Sequence, residues 1–116
     1  MKLYGIPNCN TVKKARTWLD EHGIAYEFHD FKKLGIDEAT LKHWLNQTGW
    51  GKLVNRVGMT WRGLSEAEKA AVTDNDSASQ LMIAKTSVIK RPVLVKDDKI
   101  LSLGFDEDNY RKLFAK

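Results

Sequence analysis

Residues 2–19, Lys2-Leu3-Tyr4-Gly5-Ile6-Pro7-Asn8-Cys9-Asn10-Thr11-Val12-Lys13-Lys14-Ala15-Arg16-Thr17-Trp18-Leu19, decide how this chain reads. Lys2 to Ile6 is a short apolar run stopped by Pro7 and Asn8, the pattern of a strand that ends in a loop. From Thr11 the apolar residues Val12, Ala15, Trp18 and Leu19 recur at spacings of three and four, one face of an amphipathic helix. Asn10 or Thr11 is the expected N-cap, and Gly23 supplies the left-handed residue that ends the helix. Cys9, the chain's single cysteine, falls in the loop between strand and helix.

The pattern outward from this stretch continues as alternating elements. Ile24, Tyr26 and Phe28 alternate with Ala25, Glu27 and His29, which predicts a second strand to about Phe31 and closes a βαβ unit. Asp37 caps a predicted helix with the stripe Leu41, Trp44, Leu45 and Thr48, ended by Gly49. Residues 50–63 are irregular, and Ser65 with Glu68, then Ser77 with Gln80, show capping-box spacing before two short helices. Pro92 to Val95, a turn at Asp97-Asp98 and Lys99 to Leu103 predict a hairpin, after which Asp106 caps a helix carrying Tyr110, Leu113 and Phe114. The expected fold is α/β: a mixed four-stranded sheet with flanking helices, one domain over residues 1–116, with a helical insertion at about 36–88 between strands 2 and 3.

Nineteen Lys and Arg against fifteen Asp and Glu leave a net charge of +4, scattered along the chain. That balance favours encounter with anionic small molecules without forming a nucleic-acid footprint. One cysteine excludes an internal disulfide, and neither an apolar signal segment near Met1 nor an apolar run of about 18 residues is seen. The reducing cytosol is the expected compartment, with a monomer and no membrane contact.

A cysteine where a strand meets a helix sits near unpaired amide N–H groups and the positive end of the helix dipole, both of which stabilise a thiolate nucleophile. The other reading of Cys9 is a small buried apolar residue. Lys13 and Lys14 stand in a first turn that ordinarily prefers carboxylates, so they either attract an anionic substrate or form a solvated face. Arg91 before Pro92 is held extended and offers a planar fork of donors for a carboxylate or oxyanion; the other reading is a surface charge beside a trans proline.

Other chemistries find no complete motif. Gly51-Lys52 is followed by Leu53 where a phosphate loop needs Ser or Thr, so no nucleotide is expected. His22, His29 and His43 lack metal-ligand spacing, and no metal is expected. Trp18 and Trp44 lie on predicted core stripes, and for Trp50 and Trp61 packing in the core or the insertion is preferred to a stacking platform.

Taken in order, Pro7-Asn8-Cys9-Asn10-Thr11, Asn55-Arg56 with Trp61-Arg62, Arg91-Pro92-Val93-Leu94 and Gly104-Phe105 resemble the ArsC/Spx-like family of arsenate reductase-like proteins, over essentially the whole chain. Within it the likeness is greatest to the YffB-type branch, thioredoxin-fold members suspected of being glutathione-dependent thiol reductases. The resemblance implies that Cys9 is a nucleophile. It also implies that Pro92 is the cis proline of a thioredoxin-like fold, facing Cys9 and leaving the Arg91 backbone open to substrate.

Departures from the family pattern narrow these expectations. Spx-type redox switches carry a second cysteine where this chain has Val12. Glutaredoxin-coupled arsenate reductases use three arginines, of which Arg91 matches one while Asn55 and Gly104 stand at the other two; Arg56 compensates only in part. Each missing charge-assisted donor costs an oxyanion about 1.5–3 kcal/mol, which disfavours arsenate. The expected function is therefore monothiol exchange with glutathione as co-substrate. Cys9 is its nucleophile, Asn10 and Thr11 orient the sulfur or the peptide, and Lys13, Arg91 and Arg56 serve as carboxylate or substrate contacts beside Pro92. The alternatives are a regulator that binds RNA polymerase, with Cys9 vestigial, and an arsenate reductase.

Overall fold

The computed structural model describes residues Met1–Ala115. The chain divides into two compact units, one formed by residues 1–34 together with the segment from Arg91 onward, the other by Gly35–Lys90.

In the first unit, β1 (Lys2–Gly5), α1 (Asn10–Glu21), β2 (Glu27–Asp30), a single turn α2 (Phe31–Leu34), β3 (Val93–Lys96), β4 (Lys99–Leu103) and α8 (Glu107–Leu113) follow in that chain order. The sheet order is β2-β1-β3-β4. β1 and β2 are parallel, as a strand–helix–strand crossover requires, and the other pairs are antiparallel, so the sheet is mixed as expected. The second strand is shorter than the alternation suggests. β1 has four residues, and pairing begins at Lys2↔Glu27, so Ile24–Tyr26 serve instead to carry the chain from the end of α1 to the sheet.

The predicted turn chemistry is met where left-handed backbone is needed. Asp97 and Asp98 have φ of 52° and 64°, the two positive values of a type I′ hairpin, and Gly23 at 65° follows α1. A bulge between Leu94 and Val95 interrupts the β3–β4 ladder.

The core of this unit is the meeting of α1, the central strands and α8: Leu3, Ala15, Trp18, Leu19, Leu94 and Tyr110 are buried, with Phe28, Phe105, Leu113 and Phe114 packed against them. α1 lies close to β1 because Gly5 has no side chain. A methyl group there would stand 2.8 Å from Val12 Cγ2 and 3.1 Å from its Cγ1. Val12 is fully buried and β-branched, so it has no alternative rotamer into which to retreat. Gly5→Ala is therefore expected to lower stability by about 1–3 kcal/mol, the ordinary cost of overpacking, read from urea denaturation midpoints.

The second unit is helical: α3 (Glu38–Thr48), α4 (Trp50–Leu53), α5 (Met59–Arg62), α6 (Glu66–Ala70), α7 (Asn75–Ala84) and a 3₁₀ turn, Thr86–Val88. Asp37 caps α3 through the Thr40 N–H at 2.6 Å, and Leu41, Trp44 and Leu45 are its buried stripe. Ser65 and Glu68 form the expected capping box of α6. The second box differs from the sequence reading. Asp74, three residues upstream, is the N-cap of α7, and Ser77 is its reciprocal partner and not the cap. Asp accepts from the N3 amide as well as Ser does, and the earlier start lets Ala78 and Met82 face inward from consecutive turns.

Candidate functional site

The site is built at the end of β1. Gly5 closes the strand, Pro7 and Asn8 turn at the surface, and Cys9 takes an extended backbone (φ −119°, ψ 122°) at the mouth of α1. Its carbonyl accepts the first helical bond, from the Lys13 N–H at 2.9 Å. Cys9 is therefore itself the N-cap, and the sequence expectation of Asn10 or Thr11 is one or two residues late. Cysteine escapes the usual capping preference because a neutral thiol is a poor acceptor, and the neutral side chain here makes no capping hydrogen bond.

Ionisation changes this. Partial burial pushes the thiol up, but it is outweighed by the Val12 N–H, by the hydrogen bond and charge of the Arg91 guanidinium, and by the Thr11 N–H; the net direction is below the ordinary cysteine value. Thr11 and Val12 are the second and third residues of the helix, whose amides a capping oxygen would take in a serine- or aspartate-capped helix. The thiolate thus does the work of a cap, and α1 supplies both donors and dipole. The half-buried thiol is neither sealed in the core nor fully solvated.

Arg91 and Pro92 precede β3, which pairs with β1, so topology returns them to the strand end that carries Cys9. The Arg91–Pro92 peptide is cis, as the family resemblance implied against the general preference for trans. The Pro92 carbonyl accepts the N–H of Gly104, which has φ of 80°, tying the end of β4 to this loop.

The other expected residues are placed less closely. Asn10 is exposed at the first helical position and makes no side-chain hydrogen bond among the described residues. Lys13 is exposed on α1, as is Lys14, and neither has an ion-pair partner among the described residues. Arg56 belongs to the helical unit, where its guanidinium lies 5.3 Å from the centre of the Trp50 ring. This gives Trp50 a packing partner. Asn55 accepts the Val57 N–H within its own loop.

Sequence reasoning passed over one contributor, the backbone of Val12. Its side chain marks the helix stripe and the missing second cysteine, which hides that its amide is a donor to the sulfur. The signal available was spacing: three residues after an N-cap stands the N3 amide.

Comparison with known proteins shows the family. The ArsC family model matches residues 4–113. Among solved structures, the YFFB (PA3664) protein is 49% identical, with a TM-score of 0.91 and coverage of 98% of both chains. An arsenate reductase (ArsC) related protein from Brucella melitensis is 46% identical, with a TM-score of 0.78 over 99% of this chain and 94% of that one. The global transcriptional regulator Spx of Listeria innocua is 26% identical over 121 residues, covering 98% of this chain and 86% of the regulator.

Proposed function

Because this chain belongs to the ArsC family and presents a single stabilised thiol, we propose that it is a glutathione-dependent thiol reductase acting through Cys9. The observation that carries the reading is the convergence of the Val12 and Thr11 amides and the Arg91 guanidinium on the Cys9 sulfur, which favours thiolate. Thiolate is the attacking species in disulfide exchange.

The cycle balances with one protein thiol. Cys9 thiolate attacks a substrate disulfide; a Cys9–substrate disulfide forms, the original S–S bond breaks, and the released thiolate takes a proton from water. Glutathione thiolate then attacks the substrate-side sulfur, so the Cys9–substrate disulfide breaks and Cys9 leaves as thiolate. The electrons come from glutathione, which ends as a mixed disulfide that a second glutathione resolves. The donors that lower the thiol also make Cys9 a good leaving group. Thr11, Lys13 and Arg91 are the candidate contacts for glutathione's peptide and carboxylates.

The similarity to an arsenate reductase related protein and to Spx supports two competing readings. Against the first, Asn55 and Gly104 offer no guanidinium where oxyanion reduction wants cations. Against a redox-switch form of the second, Val12 is no thiol.

Incubation with glutathione disulfide is expected to give one glutathione adduct on the intact protein, reversed by added glutathione and absent in Cys9→Ser. An unmodified Cys9 overturns the proposal. Retention on RNA polymerase with an inert Cys9 favours the regulatory reading, and glutaredoxin-coupled turnover that requires arsenate favours the other.

A further inference from the structure

Gly104 stands where β4 ends and the chain turns toward α8, and its neighbours on both sides are fixed. Leu103 is paired with Val93 across the β3–β4 ladder, Phe105 packs edge-on against the buried Tyr110 at 4.8 Å, and Asp106 caps α8. Asn109 Nδ2 donates to Ser102 Oγ at 3.1 Å, a second tie between strand and helix. Between these anchors Gly104 has φ of 80°, backbone that a residue with a Cβ rarely adopts.

That turn aims one donor. The rung after Val93↔Leu103 joins Pro92 to Gly104, and proline has no N–H to give, so the one ladder bond open to it runs from the Gly104 N–H to the Pro92 carbonyl, at 2.9 Å. Pro92 is buried, and its carbonyl would lose free energy without that donor. The bond fixes more than the carbonyl. A planar peptide joins Arg91 to Pro92 and the pyrrolidine ring locks the proline φ, so ψ of Pro92 is the one soft torsion between its carbonyl and the Arg91 Cα. Arg91 is therefore set by where the Pro92 carbonyl is held, and its guanidinium is the side-chain donor to the Cys9 sulfur.

We propose that Gly104 is a positioning residue for the Cys9 nucleophile: its left-handed backbone points the amide that holds the Pro92 carbonyl, and thereby holds the Arg91 side chain on the sulfur. An alanine at 104 escapes strain by moving φ to negative values, which turns its N–H away from Pro92. The proposal rests on Cys9 acting as a thiolate, as the proposed function requires, and adds a residue that acts on it only through others.

Iodoacetamide alkylation of Cys9 in the full chain, followed across pH 5–10, reads the effect, because a substitution that merely destabilises the fold leaves the pH midpoint of the folded thiol where it was. Gly104→Ala is expected to slow alkylation at pH 6 by about threefold, less than removal of Arg91 itself, through a weakened charge-assisted bond to the thiolate, and the gap is expected to close as pH rises. In Arg91→Gln/Gly104→Ala the rate is expected to match that of Arg91→Gln alone, since the guanidinium through which Gly104 acts is gone. Replacing the Gly104 amide by an ester, with glycolic acid in place of glycine, deletes the N–H while leaving φ free to stay left-handed. The ester is expected to show the same loss of about threefold, and it decides the matter if the alanine variant does not fold. An ester variant with the wild-type pH profile overturns the proposal, as does a double variant in which the two losses multiply; both leave the Cys9 chemistry standing. A wild-type midpoint at the ordinary cysteine value overturns the reading of Cys9 as a stabilised thiolate, and the role of Gly104 with it.

Discussion

Arg91→Gln is expected to slow alkylation of Cys9 at pH 6 by about tenfold, the consequence of losing one charge-assisted hydrogen bond to the thiolate. The guanidinium acts on the sulfur both as a donor and as a charge, while burial opposes ionisation, so removing it leaves burial set against the Val12 and Thr11 amides alone. The thiol then rises, and at acidic pH fewer molecules carry the nucleophile. The difference closes with pH. Once both proteins are fully ionised, the variant's more basic sulfur is the better intrinsic nucleophile, so its rate is expected to overtake the wild type modestly. Stopped-flow iodoacetamide kinetics across pH 5–10 read both limbs. Parallel profiles without a crossing would show that Arg91 acts on access and not on ionisation.

Stability carries the same signature with a fixed sign. The folded thiol lies below its ordinary value, so the ionised sulfur stabilises the fold. That contribution is complete above the unfolded value and is lost as pH falls through the folded one. The stability gap between wild type and Cys9→Ser should accordingly widen with rising pH and level off above about pH 9.

How much of this was legible depends on what kind of interaction decides each feature. The α1 stripe, the Asp37 and Ser65 caps, the Asp97-Asp98 turn and the hairpin after Pro92 are local, and short-range residue chemistry announces them. The start of α7 at Asp74 was misread because Ser77 has the right spacing to be a cap and is in fact the partner of one. The length of β2 depends on its neighbour β1, which no local pattern records. The Cys9 position was readable, but its capping role was not, because propensity discounts cysteine as a cap for its neutral form and the thiolate behaves otherwise. Arg91 is brought to Cys9 by strand pairing at a sequence separation of 82, so only the family resemblance placed the two together.

Tyr110→Ala is expected to cost about 3–5 kcal/mol, enough to bring a domain of ordinary stability near its unfolding threshold. Tyr110 is fully buried and is the hub of the aromatic packing: Trp18 meets it edge-on at 5.5 Å, Phe105 at 4.8 Å, and Phe114 at 6.3 Å. Removing the ring leaves a void that α1, β4 and α8 would each have to close. The hydroxyl is a separate matter. It is buried without a hydrogen-bond partner among the described residues, and burial alone drives its ionisation upward. An unsatisfied buried donor costs free energy, so Tyr110→Phe is expected to gain about 1 kcal/mol while preserving the edge-to-face contacts. Urea titrations of the two variants give opposite signs on this account. Equal destabilisation by both substitutions would mean that the hydroxyl, and not the ring, holds α8 in place.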